Sequence, residues 1–182
     1  MILAFTGAGI SKASGIPTFE EQGDMRNKLD RYYYREHKDE VEQILENMQE
    51  TFNRSEPNDA HKAIAEYDIP VITMNIDGLH QKAGSKNVLA VHGEMPNIVL
   101  YGDPAPLYAT AFEWVDKLRP GDSFMIVGVS FYTTVSEQLR VMARATGANI
   151  IIINENAEEN VRAYINNNKY RLSSFEEFIS RE

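Results

Sequence analysis

The stretch Ile2–Glu20, ILAFTGAGISKASGIPTFE, decides how the rest of the chain is interpreted. Four apolar residues, Ile2 to Phe5, run directly into Gly7-Ala8-Gly9, and a helix-compatible segment follows. A short buried strand that feeds a glycine turn is how open α/β sheets bring backbone N–H groups to the phosphates of a ligand. Because Gly7 and Gly9 lack a Cβ atom, they can take positive φ and let a pyrophosphate approach the main chain.

This glycine turn does not meet the strict G-x-G-x-x-G spacing. Lys12 stands where the third glycine belongs, and the next glycine is Gly15. By itself the stretch therefore fits an ordinary structural turn as well as it fits a nucleotide-binding loop.

Composition limits the classes of protein that this chain can belong to. The 182 residues predict one domain over 1–182, with ordinary hydrophobic (43%) and charged (25%) fractions. The net charge of −9 argues against nucleic-acid binding, which needs clustered cations. The sequence offers no apolar run of the roughly 18 residues that a membrane helix requires, and no signal peptide, so we expect a cytoplasmic protein. Since cysteine is absent, disulfides, thiol nucleophiles and thiolate metal sites are excluded, and we expect no metal.

Short apolar runs alternate with helical patterns along the chain. Six runs have the composition of buried strands: Ile2–Phe5, Val71–Met74, Val88–Val91, Ile98–Tyr101, Phe124–Val127 and Ile150–Ile153. Helical patterns cover 24–52, 58–69, 107–118, 134–146, 157–165 and the residues after Ser174. Continuous apolar strands are buried on both faces. The sequence therefore predicts an α/β fold, a Rossmann-like doubly wound parallel sheet of about six strands.

Polar residues follow directly on five of these strands. They are Gly7-Ala8-Gly9, Asn75-Ile76-Asp77, His92-Gly93, Gly128-Val129-Ser130 and Asn154. The carboxyl ends of parallel strands share one edge of a sheet, and ligands bind there. Turn formation and helix capping explain each loop separately, but they explain the joint arrangement less well. A Walker lysine-serine pair is absent, so a dinucleotide held by backbone donors is more plausible than triphosphate hydrolysis.

These motifs, taken in order, resemble those of the sirtuins, the NAD-dependent protein deacylases. The matching blocks are Gly7-Ala8-Gly9-Ile10-Ser11, Ser14-Gly15-Ile16-Pro17, Pro57-Asn58-Asp59-Ala60-His61, Thr73-Met74-Asn75-Ile76-Asp77-Gly78-Leu79-His80, Ala83-Gly84-Ser85, His92-Gly93, Gly128-Val129-Ser130 and Ile153-Asn154. They extend from near residue 2 to about residue 155, which makes the match highly specific for fold.

The resemblance implies that NAD is the cofactor, and it assigns the residues that would bind it. Gly7, Ala8 and Gly9 would line the pyrophosphate, and Phe19 would lie near the nicotinamide. Asn75 and Asp77 would hold the nicotinamide ribose and carboxamide. The whole implied set is Gly7, Ala8, Gly9, Ser11, Phe19, Glu20, Met74, Asn75, Ile76, Asp77, Gly128, Val129, Ser130, Asn154 and Glu155, of which Ser130 and Asn154 would hold the adenosine half.

The same resemblance implies a mechanism with His92, Asn75 and Asp77 as catalytic residues. In that mechanism an acyl-lysine carbonyl oxygen attacks the anomeric ribose carbon as nicotinamide leaves, and His92 is the general base. A histidine suits this role because its unperturbed pKa of about 6.5 lies near working pH. His61 is expected to pack inside a helix, and His37 to lie at the surface.

Three single positions depart from the sirtuin pattern. Glu20 stands where the family has an arginine, Met74 where it has a glutamine, and Val129 where it has a threonine. Glu20 reverses a charge beside the expected pyrophosphate. Met74 and Val129 each remove a hydrogen bond near the ribose and the adenosine, at a cost of about 1–3 kcal/mol for a buried polar site.

A larger departure follows the His-Gly pair, where sirtuins carry a zinc-binding module held by four cysteines. Here residues 92–96 run directly into Asn97–Asp103, which resembles the strand and Phe-Gly-Glu segment that normally follow the module. We therefore expect a minimal sirtuin without that small domain. The resemblance places an acyl-lysine peptide along Tyr101-Gly102-Asp103 and near Phe131-Tyr132, beside the missing wall.

Three functions stay open on this evidence. The first is a sirtuin-like enzyme that cleaves the nicotinamide–ribose bond of NAD, nominally with lysine deacylation. The second is an NAD glycohydrolase or ADP-ribosyl transferase variant, in which water or another nucleophile replaces acyl-lysine. The third is a module that binds NAD or ADP-ribose without turnover. A homo-oligomer is conceivable, since a partner could cover the apolar surface that a missing module leaves.

Overall fold

A computed structural model describes residues 1–130 and 133–182 of the chain. The expected peptide contact at Phe131-Tyr132 therefore lies outside the described residues. The strands are β1 (Ile2–Thr6), β2 (Val71–Thr73), β3 (Val88–Ala90), β4 (Gly93–Glu94), β5 (Asn97–Ile98), β6 (Ser123–Val127) and β7 (Asn149–Ile153). Five of them form one sheet in the order β3-β2-β1-β6-β7. Each neighbouring pair is parallel, as the sequence predicts.

Side chains from both faces of this sheet are buried, which confirms the doubly wound arrangement. Leu3 and Phe5 of β1 pack in one core cluster with residues of the helices that cover that face. Ile2 and Ala4 pack on the opposite face, in a second cluster. Adjacent residues of a strand point to opposite faces, so a strand buried on both sides is mostly apolar on both. This is why Ile2–Phe5 of β1 and Phe124–Val127 of β6 appear in the sequence as unbroken apolar runs, with the buried Thr6 and Ser123 at the strand ends.

Helices connect the strands along the chain. They are α1 (Met25–Lys28), α2 (Arg31–Glu36), α3 (Lys38–Arg54), α4 (Asp59–Glu66), α5 (Leu79–Lys82), α6 (Leu107–Asp116), α7 (Thr134–Ala145), α8 (Ala157–Asn167) and α9 (Phe175–Ile179), with 3-10 turns at Ala8–Ser14 and Lys169–Arg171. Residues of α6, α7 and α9 enter the first cluster. Residues of α4 and α8 enter the second.

Helix caps agree with the sequence patterns at two helices and shift by one residue at a third. Asn58 accepts a hydrogen bond from the amide of Ala60, and Ser174 accepts one from the amide of Glu177. For α7, whose helical pattern starts at residue 134, the capping residue is Thr133, because its hydroxyl accepts from the Ser136 amide. The helical pattern over 24–52 is divided into α1, α2 and α3.

One of the six expected strands, Ile98–Tyr101, does not join the sheet. Its first residue pairs with Gly93 in the antiparallel hairpin β4–β5. Gly93 has φ of +72°, and a Cβ atom there would lie 2.2 Å from the carbonyl oxygen of Asn97, so this glycine permits the tight reversal. A parallel neighbour needs a crossover of roughly a dozen residues. The few residues between Val91 and Ile98 cannot supply one, so the chain stays above the edge of the sheet.

Within the described part of the chain, none of the helices has the length and apolar character needed to span a membrane. The same residues contain no group of three or more His, Cys, Asp or Glu side chains placed to hold a metal ion.

Candidate functional site

The glycine turn after β1 is packed against the end of β6. The Gly7 amide donates to the carbonyl of Val127 (3.0 Å), and the Gly9 amide donates to the carbonyl of Gly128 (2.9 Å). A Cβ atom on Gly9 would lie 2.6 Å from the Cα atom of Gly128. Positive φ occurs at Gly128 (+62°) but at neither Gly7 nor Gly9. Neither Gly7 nor Gly9 therefore uses the positive φ that a missing Cβ atom permits. Their missing Cβ atoms let two backbone segments touch, and both amides are already engaged.

A cavity of about 550 Å³ opens at the carboxyl ends of β1 and β2, within the usual size range of small-molecule sites. It brings together many of the residues singled out in the sequence: Ala8, Phe19, Met74, Asn75, Ile76, Asp77, His92, Tyr101, Gly102 and Asp103. The shared sheet edge explains this convergence, since the loops after parallel strands meet there.

Other expected cofactor-binding residues are not among the described residues that line this cavity. They are Gly7, Gly9, Ser11, Glu20, Gly128, Val129, Ser130, Asn154 and Glu155. Ser130, Asn154 and Glu155 are exposed beyond the ends of β6 and β7. The Val129 side chain is buried in the first core cluster. Glu20 is exposed to solvent, and its carboxylate does not contribute to the cavity wall.

Asp77 is the centre of a hydrogen-bonded group in the wall of the cavity. Its Oδ2 atom accepts from the Ser11 hydroxyl (2.7 Å), and its Oδ1 atom accepts from the Leu79 amide (2.9 Å). Asn75 Nδ2 donates to the Gly7 carbonyl (3.1 Å) and to Ser11 Oγ (3.2 Å). Burial raises the pKa of Asp77, and these hydrogen bonds oppose that rise. Each carboxylate oxygen keeps a free lone pair that can accept from a ligand in the cavity.

Two buried histidines support this group from below. Thr6 Oγ1 donates to Thr73 Oγ1 (2.8 Å) and lies 2.9 Å from His80 Nε2. Since the single Thr6 hydroxyl proton is used on Thr73, His80 Nε2 is the donor to Thr6. The His61 ring lies edge-on to His80, with centroids 4.9 Å apart. Burial lowers the pKa of His61 to about 4 and that of His80 well below its usual value, so both rings are neutral packing residues.

His92 follows β3, and its ring is fixed by two hydrogen bonds. Nδ1 lies 3.0 Å from the backbone carbonyl of Met74, and Nε2 lies 2.6 Å from the Tyr108 hydroxyl. A carbonyl oxygen can only accept, so Nδ1 carries the proton and Nε2 presents its lone pair. Burial lowers the pKa of His92, although the hydrogen bond to Met74 opposes this effect. The imidazole is therefore neutral at neutral pH and has the form that a general base needs.

Several residues of the cavity escaped the sequence reasoning. The first is Tyr108, which lies inside the amphipathic pattern of α6 and carries no motif. A second group is the α3 wall of Ile44, Met48 and Phe52, whose apolar spacing is that of any packed helix. A third is Arg26, which lines the cavity and lies over the Tyr101 ring, 5.1 Å from its centroid. No local signal in the sequence distinguishes any of them.

The Tyr101–Asp103 segment is already paired with another part of the same chain. The Tyr101 amide donates to the Leu29 carbonyl (3.0 Å), and the Arg31 amide donates to the Tyr101 carbonyl (2.8 Å). The Arg31 guanidinium also forms a bidentate ion pair with Asp103, in which Nε lies 2.6 Å from Oδ1. Both backbone groups of Tyr101 are thus occupied. An added peptide could pair with them only by displacing Leu29–Arg31.

The zinc module that sirtuins carry after the His-Gly pair has no counterpart in this chain. The β4–β5 hairpin fills the interval between His92 and Tyr101, and the Val99 amide donates to the His92 carbonyl (2.8 Å). The sequence contains no cysteine that could hold zinc.

Comparison with known proteins gives the family from sequence and the shared fold from structure. The Sir2 family model matches residues 7–97, half of the chain. The chain is 33% identical to NAD-dependent protein deacylase 2 of Archaeoglobus fulgidus, over 84% of this chain and 79% of that protein. It is 31% identical to an NAD-dependent protein deacetylase of Bacillus cereus, over 85% of this chain and 82% of that protein.

A solved structure of a Sir2 homologue bound to NAD superposes with a TM-score of 0.84. The superposition covers 94% of this chain and 90% of the other at 21% identity, which establishes a shared fold. Together with the matching sequence model and the relatives of more than 30% identity, this makes the assignment plain: the chain belongs to the Sir2 family.

Proposed function

We propose that this protein binds NAD at the sheet-edge cavity and cleaves the nicotinamide–ribose bond, with transfer of an acyl group from lysine. The observation that carries the proposal is the meeting of Asn75, Asp77 and a neutral His92 at one cavity. Relatives named as NAD-dependent deacylases and deacetylases, and a Sir2 homologue bound to NAD, support it.

The cavity suits the nicotinamide half of NAD, which supplies an activated ribose carbon that bears a good leaving group. Asp77 is proposed to accept a hydrogen bond from the carboxamide, because its buried oxygens have free lone pairs. Asn75 is held by Gly7 and Ser11, so its amide oxygen is pre-oriented toward a ribose hydroxyl. Phe19 and Ile76 offer apolar surface for the ring.

The adenosine half is proposed to lie along the carboxyl ends of β6 and β7. These ends are adjacent, since the Gly128 amide donates to the Ile153 carbonyl (2.9 Å). Ser130, Asn154 and Glu155 are exposed there and could bind the adenosine hydroxyls and base. Glu20 does not line the cavity, so its negative charge need not face the pyrophosphate. Arg26 supplies a positive charge at the cavity wall instead.

Nicotinamide release tests the proposal directly. The protein is incubated with NAD, with and without an acetyl-lysine peptide, and free nicotinamide is measured by chromatography. Release that depends on the peptide is the expected result. If neither mixture exceeds the blank, the enzyme proposal is wrong. Calorimetric binding of NAD or ADP-ribose without turnover would then support a binding module.

A second candidate function is NAD glycohydrolysis or ADP-ribosyl transfer. The Leu29–Arg31 segment occupies the Tyr101 backbone, and the wall that a zinc module would supply is missing. Both features restrict a peptide more than they restrict water or another small nucleophile. Nicotinamide release at the same rate with and without the peptide would favour this second function.

Asp77→Asn is expected to lower kcat/KM for nicotinamide release by roughly 10- to 100-fold. The substitution keeps the size of the side chain but removes the charge and one acceptor. A hydrogen bond to a charged group contributes about 1.5–3 kcal/mol, and about 1.4 kcal/mol corresponds to a tenfold change in rate. Asp116→Asn, at an exposed position in α6, is the matched control and should leave the rate unchanged. Equal rates for the two variants would show that Asp77 has no role in nicotinamide release.

The proposal extends to the setting of the enzyme. We place it in the cytoplasm, as one NAD-binding unit over residues 1–182 that acts without nucleic acid or membrane. Sedimentation of the purified protein would show whether it acts as a homo-oligomer. Cell fractionation tests the location.

A further inference from the structure

We infer that Tyr108 is a catalytic residue that relays a proton from a substrate hydroxyl to His92. The inference rests on the proposed function, in which His92 is the general base. It assigns to this chain a second proton-carrying residue, on α6, whose hydroxyl contacts Nε2 of the base. Tyr108 and His92 both line the cavity.

The lone pair of the base is held by Tyr108. His92 donates from Nδ1 to the Met74 carbonyl, so Nε2 has the only lone pair of the ring that lies in its plane. The Tyr108 hydroxyl is 2.6 Å from Nε2, which is a short and strong O–H···N hydrogen bond. That lone pair is therefore already used. A substrate hydroxyl cannot donate to Nε2 while Tyr108 keeps this position.

The phenol oxygen of Tyr108 can accept a hydrogen bond from the substrate in place of Nε2. A tyrosine hydroxyl that donates its proton still has lone pairs with which to accept. A hydroxyl group of a ligand in the cavity could donate to Tyr108 Oη while Tyr108 donates to His92. No change in the tyrosine rotamer is then required. The rings of Tyr108 and His92 are nearly perpendicular, with centroids 5.6 Å apart, so packing also holds this arrangement.

The proton transfer balances without another reactant. The O–H bond of the substrate breaks and an O–H bond forms at Tyr108, while the original O–H bond of Tyr108 breaks and an N–H bond forms at His92 Nε2. The substrate oxygen gains the electron pair, and the positive charge rests on the imidazolium. The Met74 carbonyl accepts from Nδ1 and stabilises that charge. The proton returns by the reverse route when product forms.

The ionisation of the phenol agrees with a concerted relay. Burial raises the pKa of Tyr108 to about 12, and the nearby Tyr101 adds to the effect. The free tyrosinate is therefore an unfavourable species near neutral pH. A relay in which one proton arrives as the other departs never forms it.

Tyr108→Phe tests the relay, because it keeps the ring and removes only the hydroxyl. We expect kcat for NAD-dependent product formation to fall roughly 100-fold, since a positioned acid–base group contributes about 10²- to 10⁴-fold. The dissociation constant of ADP-ribose, measured by calorimetry, should change less than about twofold, on the view that the hydroxyl acts in catalysis more than in binding. Tyr67→Phe is the matched control, because its hydroxyl contacts only the exposed Asn166 (2.9 Å). It should keep the rate of the unmodified protein.

A nuclear magnetic resonance titration of His92 separates failure of the relay from failure of the proposed function. Loss of a donor to neutral Nε2 should raise the pKa of His92 in Tyr108→Phe, and this can be read without any turnover. An unchanged His92 titration would show that the contact is absent and would overturn the inference. A faster Tyr108→Phe enzyme would overturn it too, because the hydroxyl would then only block access of the substrate to His92 Nε2. If the unmodified protein releases no nicotinamide, the proposed function and this relay fall together even when the contact is present.

Discussion

Gly128→Ala is expected to destabilise the protein by about 4 kcal/mol or more, in the range reserved for severe core and backbone clashes. Gly128 has φ of +62°, which costs an alanine about 1–2 kcal/mol. The added Cβ atom would also lie 2.2 Å from the amide nitrogen of Ile10 and 2.5 Å from the carbonyl carbon of Gly9. Backbone atoms cannot rotate away as a side chain can. The turn after β1 would have to separate from β6.

Gly121→Ala is the matched control for this prediction. Gly121 also has positive φ (+95°), but a Cβ atom there would have no neighbour within 4 Å. Its cost is then conformational strain alone, about 1–2 kcal/mol. Urea denaturation of the two variants compares their free energies of unfolding. Equal losses of stability would show that the close approach between Gly9 and Gly128 is absent in solution.

The Gly128→Ala variant also tests how the turn after β1 affects NAD binding. The Gly9 amide donates to the Gly128 carbonyl, and Ala8, the residue between Gly7 and Gly9, lines the cavity. A turn displaced from β6 would move Ala8 and the Gly7 carbonyl that accepts from Asn75. Any folded Gly128→Ala protein should therefore bind NAD more weakly than Gly121→Ala does, by calorimetry.

His92→Ala is expected to lower product formation by about 10²- to 10⁴-fold while the fold is retained. This is the usual contribution of a positioned general base. The neutral ring keeps its Nδ1 proton on the Met74 carbonyl, so Nε2 is the atom that can accept the proton. His37→Ala, at an exposed histidine, is the matched control and should keep full activity. A His92→Ala enzyme with unchanged activity would exclude His92 as the base.

The pH dependence of the rate gives a second measurement on His92. Burial lowers its pKa below the usual 6.5, and the base is active only when neutral. The rate should therefore stay high at neutral pH and fall on acidification through a pKa below 6.5. His37→Ala should show the same acid limb. An acid limb that survives in the residual activity of His92→Ala would have to belong to another group.

Much of the fold could be predicted because its signals are local. Strands buried on both faces appear as continuous apolar runs, and β1, β2, β3, β6 and β7 all coincide with such runs. The error at Ile98–Tyr101 shows the limit of this reasoning. An apolar run reports burial, but the length of the preceding connection decides whether the run can enter the sheet.

The site could be predicted in part for a similar reason. Asn75, Asp77 and His92 lie directly after strands, so a parallel sheet must bring them to one edge. The role of the glycine turn in cofactor binding stays a prediction, because a missing Cβ atom serves a ligand and a tight backbone contact equally well. Only the positions of Gly9 and Gly128 relative to each other distinguish the two.

The sequence by itself determined the family, the parallel sheet and the edge at which the polar loops meet, because periodicity and motif order are local properties of the chain. The tertiary structure decided which hydrogen-bonding atoms already have a partner within the chain. Tyr108 covers Nε2 of His92, Leu29–Arg31 occupies the backbone of Tyr101, and Gly128 engages the Gly9 amide. Each of these contacts joins residues far apart in the sequence. Hydrogen-bond occupancy depends on distance and direction between such residues, which no local pattern records.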